Sequence, residues 1–303
     1  MNKRIRRMSL YCAVALTSAF GFVACNDEDE MSKGSSMTSY FAGTTQYKSV
    51  SNSDNPFEYV GETHNSILHD MAHYQSPERL TDSILYNYAV NNNSIDTTEV
   101  SIEEYLQCMH NISRFTDRYL NDSLEILSVI GIADRDVIPY INAYRRVVVD
   151  FMRRDTLVTP EEFAQEIKSI ESTILQNELY DTSDVYNSFS TVLIGLSVAR
   201  HSYSYWYDAY NDISHPWYNK VHKAIDKESM KKGLFSWVGK VFSSGAADVV
   251  GAFSSLFGSH KKTSVSWWLQ FHFNVSFEAI KNFCHNTAHA SANRWNDLTD
   301  AGW

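Results

Sequence analysis

Apolar positions along this chain recur mostly at the three- and four-residue spacing of a helix face rather than with the alternation of a strand. After Asn55-Pro56, where a proline at an early helical position costs no hydrogen bond, Val60, His64, Ile67, Leu68, Met71 and Tyr74 fall on one stripe. This predicts a helix ending near Gln75. Ser101 and Glu104 form a capping box that opens a second helix, with Tyr105, Leu106, Met109, Ile112 and Phe115 turned inward. Thr159-Pro160-Glu161-Glu162 repeats the device ahead of Phe163, Ile167, Ile170 and Ile174. Further helical stretches run from Leu124 to Ile132, Val137 to Phe151 and Asp184 to Tyr210. Only five prolines and twelve glycines punctuate the 303 residues, which favours long helices over many short strands. The predicted fold class is all-α, an irregular multi-helix bundle.

Two segments are unusually apolar or aromatic. Ser197 to Trp206 is dense in aromatics, and all seven tryptophans lie at or after Trp206. Such rings can stack on sugars, but at helical spacing they more often fill the gap between crossing helices, and a core role is expected. From Leu234 to Phe257 a stripe of Leu234, Phe235, Val238, Val241, Phe242, Gly245, Val249, Phe253, Leu256 and Phe257 is flanked by Lys231-Lys232 and Lys261-Lys262. The segment 234–257 could lie on a membrane surface, giving a membrane-acting, bacteriocin-like alternative. Asp248 interrupts any span, so a core hairpin is the preferred reading.

The first residues read as a leader. Lys3, Arg4, Arg6 and Arg7 precede an apolar stretch from Met8 to Val23, too short for an ordinary spanning helix, and small Ala24 stands before Cys25. Val23-Ala24-Cys25 resembles the lipobox of bacterial lipoproteins, with Phe22 where leucine is usual. The resemblance implies cleavage after Ala24 and a lipid attachment at Cys25, carrying a diacylglyceryl thioether and an N-acyl chain, enough acyl chains for stable anchoring. Asn26-Asp27-Glu28-Asp29-Glu30 is similar to the acidic export run of Bacteroidota lipoproteins, which implies an outer-membrane, cell-surface location. Residues 1–24 are then the signal peptide, 25–54 an acidic and Ser/Thr-rich tether that acts as a flexible stalk, and 55–303 the helical domain.

Removing the leader takes four basic and no acidic residues from totals of 26 and 36, so the mature chain carries a formal charge of −14. A nucleic-acid partner is disfavoured, because binding a phosphate backbone needs basic patches. With Cys25 acylated, Cys108 and Cys284 remain. A disulfide is permitted outside the cytoplasm, but both lie in apolar helical patterns and are expected to be buried thiols.

The sharpest chemical pattern is His69-Asp70-Met71-Ala72-His73, two imidazoles one turn apart. It resembles the H-E-x-x-H signature of zinc peptidases, with Asp70 in place of the glutamate that activates water. His285 and His289 repeat the spacing, so a metal-dependent hydrolase using His69/His73 with His285/His289 is a second alternative, which convergence of the four would support. Opposite the apolar stripe, His69 and His73 are expected to face solvent. No glycine-rich phosphate loop or nucleophile elbow is present, no catalytic or metal residue is assigned and no cofactor is expected. Asn55-Pro56-Phe57-Glu58-Tyr59-Val60-Gly61-Glu62-Thr63-His64-Asn65 resembles the start of the folded region in a group of helical Bacteroidota proteins, which implies fold and lineage but no activity. His64, on the apolar stripe, is expected in the core. The sequence thus points to a surface lipoprotein that acts as a binding or interaction module toward a protein or glycan, more than to an enzyme.

Overall fold

The computed structural model describes residues 49–73, 82–91, 101–121, 135–154, 158–180 and 188–225, together with residues 246, 249, 284, 287–292 and 294. The leader, Cys25, most of the tether, His285 and nearly all of segment 234–257 lie outside the described residues, as does the side chain of Cys108.

All regular structure among the described residues is helical, as the patterning predicts. The elements are α1 (Glu58–His73), α2 (Asp82–Asn91), α3 (Ile102–Asn121), α4 (Ile138–Met152), α5 (Pro160–Leu175), α6 (Ser188–Asn211) and α7 (Tyr218–Ile225). Residues Cys284, 287–292 and Arg294 are also helical and are called the late helical segment below. No helix among the described residues is long and apolar enough to cross a membrane.

The capping rule holds at α5. Thr159 caps α5, its hydroxyl accepting from the Glu162 amide at 3.2 Å, with Pro160 in the first turn. Tyr105 and Met109 of α3 are buried, as are Phe163, Ile167, Ile170 and Ile174 of α5.

Helix α6 is the hub. It packs on α1, α4, α5 and α7, while α4 also touches α3 and α5, and α2 lies on α3. A helix surrounded in this way needs buried side chains on every face, and α6 supplies them from Phe189 to Ala209. The aromatic stretch is core, as expected: Tyr203, Tyr205 and Trp206 are buried, and the Tyr203 ring meets Phe163 at 4.6 Å between centroids. Val249, on the amphipathic stripe, and neighbouring Ala246 are buried in the same core. The late helical segment presents Ala288, Ala290 and Ala292 to it, and Ser291 Oγ accepts from the Trp206 indole N–H at 2.7 Å.

The packed chain starts earlier than Asn55. Val50 is fully buried, and the Lys168 ammonium holds the Ser49 carbonyl at 2.8 Å. The Ser49 hydroxyl donates to Glu161 and the Asn52 amide to Glu171, each at 2.7 Å. Small polar residues that read as stalk are here a strap laid across α5.

Candidate functional site

The strap leads into α1 through a turn built on two asparagines. Asn52 Oδ1 accepts from the Asp54 amide at 3.2 Å, and Asn55 Oδ1 accepts from the Phe57 amide at 2.9 Å. These side-chain acceptors satisfy donors that a helix start would otherwise leave open. The other end of the Asn55 amide donates to Glu171 Oε1 at 2.7 Å and to the Leu193 carbonyl at 3.0 Å. Asn55 therefore fixes the turn to α5 and α6 together.

Glu58, the first residue of α1, lies at the centre of a buried ionic cluster. Arg200 of α6 is fully buried and reaches three partners: its Nη2 lies 2.5 Å from Glu58 Oε2 and 3.0 Å from Glu171 Oε1, and Nη1 donates to the Val50 carbonyl. Glu171 is completely covered as well, and it accepts from Asn52, Asn55 and both Nε and Nη2 of Arg200. His201 Nε2 lies 2.6 Å from Glu58 Oε1. Burial by itself would raise the Glu58 carboxyl, but hydrogen bonds and charge from His201 and Arg200 outweigh it and hold the group at about 2. An ionised carboxylate can only accept, so His201 carries a proton on Nε2. Burial would also lower the Arg200 guanidinium, yet the two carboxylates beside it raise it above its ordinary value.

Alongside the ions, α1 and α6 approach at backbone distance. The Gly61 amide donates to Ser197 Oγ at 3.3 Å, and the Ser197 hydroxyl donates to the Glu58 carbonyl at 3.1 Å. One turn on, the Asn65 amide donates to the His201 carbonyl at 2.9 Å. Residue numbers climb together along both helices, so α1 and α6 run parallel. His64 is buried as expected, with Nδ1 3.2 Å from Asn65 Oδ1. The motif from Asn55 to Asn65 and the stretch from Ser197 to His201 thus meet in one place.

The histidine pattern resolves differently. The rings of His69 and His73 lie 4.8 Å apart, and His73 Nδ1 is 2.9 Å from the His69 carbonyl of its own helix. His73 is exposed and His69 half-buried, close to the solvent-facing expectation. Partial burial and then the neighbouring His73 lower the His69 imidazole, against a smaller opposing effect of Asp70. His289 is buried in the core, where its Nδ1 meets the Tyr105 hydroxyl and its ring packs on Tyr88. Among the described residues no group of three potential ligands could hold a metal ion. Cys284 is a free, buried thiol that donates to the Val60 carbonyl at 3.5 Å.

Sequence reasoning singled out both Asn55 to Asn65 and Ser197 to Trp206 but gave no contact between them, and it missed Glu171 altogether. A hint was available in Arg200, which stands without another Arg or Lys in a long helix rich in apolar and aromatic residues, since a buried guanidinium demands carboxylates. Chemically the cluster is a closed clamp: every nitrogen of Arg200 and both oxygens of Glu58 and Glu171 are engaged with one another or with the strap. Comparison with protein-family models, with curated proteins and with solved structures returned no match.

Proposed function

We propose that this chain is a lipid-anchored lipoprotein of the outer membrane, displayed at the cell surface, whose helical domain is a binding or interaction module for a protein or glycan. One observation carries the reading of the domain. Glu58 of one motif and Arg200 of the other pair with each other and with Glu171, and His201 bonds to Glu58, so that strap, α1, α5 and α6 are bound into one body. A cluster so engaged stiffens a scaffold, while a general acid or base needs a carboxylate or imidazole open to substrate. The anchor rests on Cys25 and the acidic run behind it.

Metabolic labelling with an alkynyl palmitate tests the anchor, with label expected on the wild type and absent from Cys25→Ala. Protease added to intact cells tests display, with removal of the domain expected. Chain that resists digestion until the outer membrane is breached defeats the surface assignment. The binding role is tested by photo-crosslinking on intact cells and by a glycan array probed with the domain, and a domain that retains neither a protein nor a glycan counts against it.

A further inference from the structure

The turn that leads into α1 is built a second time, 160 residues later, ahead of α7. Asn52 and Asp212 occupy the same position: each side chain accepts from the amide two residues on, Asp54 at 3.2 Å and Ser214 at 2.8 Å. The Asn55 amide donates to the Asn52 carbonyl at 3.0 Å, and the His215 amide to the Asp212 carbonyl at 2.9 Å. Pro56 and Pro216 follow, then Phe57 and Trp217, both buried. The Phe57 amide donates to Asn55 Oδ1 at 2.9 Å, and the Trp217 amide to His215 Nδ1 at 3.3 Å. The hydrogen-bond scheme is shared, but the acceptor differs: an amide oxygen that cannot titrate in the first turn, an imidazole nitrogen that can in the second.

Because the Trp217 N–H donates to Nδ1, that nitrogen is bare and the ring proton is on Nε2. Nε2 is itself buried with no hydrogen-bond partner among the described residues. The Tyr205 ring of α6 stands edge-to-face against the imidazole at 4.6 Å. The groups acting on it are His69 and His73 from α1 and Asp212 from its own turn. Downstream, the Trp217 indole N–H donates to the Leu68 carbonyl at 2.8 Å and Lys220 Nζ to the Ala72 carbonyl at 2.8 Å, docking α7 on the last turns of α1.

We propose that the turn before α7 is a proton-operated release: a proton from solvent bound at His215 Nδ1 displaces the Trp217 amide, and α7 loosens from α1 while the Asn55 turn holds. The new N–H faces an N–H, so the bond is lost and a buried backbone donor is left open. Positive charge at His215 also faces His69 and His73. Burial, then His69, lower the imidazole to about 4, with Asp212 opposing, so the neutral ring is the packed form.

Global stability would mix this effect with that of Asp208 nearby, which titrates in the opposite sense, so the readout is local. Hydrogen exchange by mass spectrometry on the whole domain, corrected for intrinsic rates, is compared at pH 7 and pH 4. Protection of residues 212–225 should fall about tenfold or more relative to residues 52–60, since one pKa unit of differential binding is worth a factor of ten. His215→Asn, which installs the acceptor of the first turn, should abolish that difference. Equal protection at both pH values in the wild type, or the same loss in His215→Asn, overturns the proposal. Should the variant fold poorly, an NMR titration of the His215 ring in the wild type decides: titration without a matching loss of protection in 212–225 overturns it equally.

Discussion

The imidazole of His201 occupies the space in front of Gly61, so that a Cβ placed on Gly61 would collide with the ring and come within 2.7 Å of the Ser197 carbonyl. Glycine is required here by close helix approach, not by an unusual backbone angle. Gly61→Ala should therefore force α1 away from α6 and destabilise the domain by about 1–3 kcal/mol, the usual penalty of overpacking. Urea denaturation checks this. Adding His201→Ala should recover part of the loss, since the ring is one of the two obstacles, and the double variant should be more stable than the sum of the single effects implies.

Glu58→Gln separates charge from shape. The carboxyl sits at about 2 in the folded chain against 4.5 for the free group, so the folded state binds fewer protons in that interval. Stability from this group is complete above pH 4.5 and is lost as pH falls from there toward 2. The amide variant should lose roughly 3 kcal/mol at pH 7, because Arg200 stays buried with one carboxylate fewer. It should also show a shallower acid decline across that window, read from urea midpoints at stepped pH.

What the sequence disclosed and what it hid divide along the range of the interactions. The Thr159 cap, the buried face of α1 with His64 and the core role of Tyr203 to Trp206 depend on neighbours within one or two helical turns, so periodicity reveals them. The ionic cluster joins Glu58 and Glu171 to Arg200 across long stretches of chain, and a single sequence does not pair carboxylates in space. The strap was misplaced because Ser and Asn suit both a solvated stalk and a hydrogen-bonded lead-in turn; Val50 beneath Arg200 settles it. The second lead-in turn escaped notice because Asp212, His215 and Trp217 play the parts of Asn52, Asn55 and Phe57 with different residue types.

Cys284 offers a test of packing between the late helical segment and α1. Its thiol is fully buried, and burial pushes its ionisation well above the usual range, which removes the reactive thiolate. Alkylation of the native domain at pH 8 should leave Cys284 unmodified, and brief denaturation should expose it, as read by peptide mass spectrometry. Rapid native labelling would show that the segment does not stay against Val60.

Asp208 should behave opposite to Glu58. Near the end of α6 its carboxyl is pushed up to about 7, first by burial and then by Asp212 and Glu161. The folded state therefore holds a proton that the unfolded chain, with its ordinary value of 3.8, has already lost. This contribution grows as pH falls from 7 to 3.8, and at pH 8 the ionised group is a net cost. Asp208→Asn keeps the shape and removes the charge, so at pH 8 it should stabilise the domain by roughly 1–3 kcal/mol, and that advantage should shrink as pH falls through 7. Thermal melts of the two proteins at pH 8 and pH 5 measure the difference. A variant less stable than wild type at pH 8 would mean that the ionised carboxylate, not the neutral acid, is what the end of α6 accommodates.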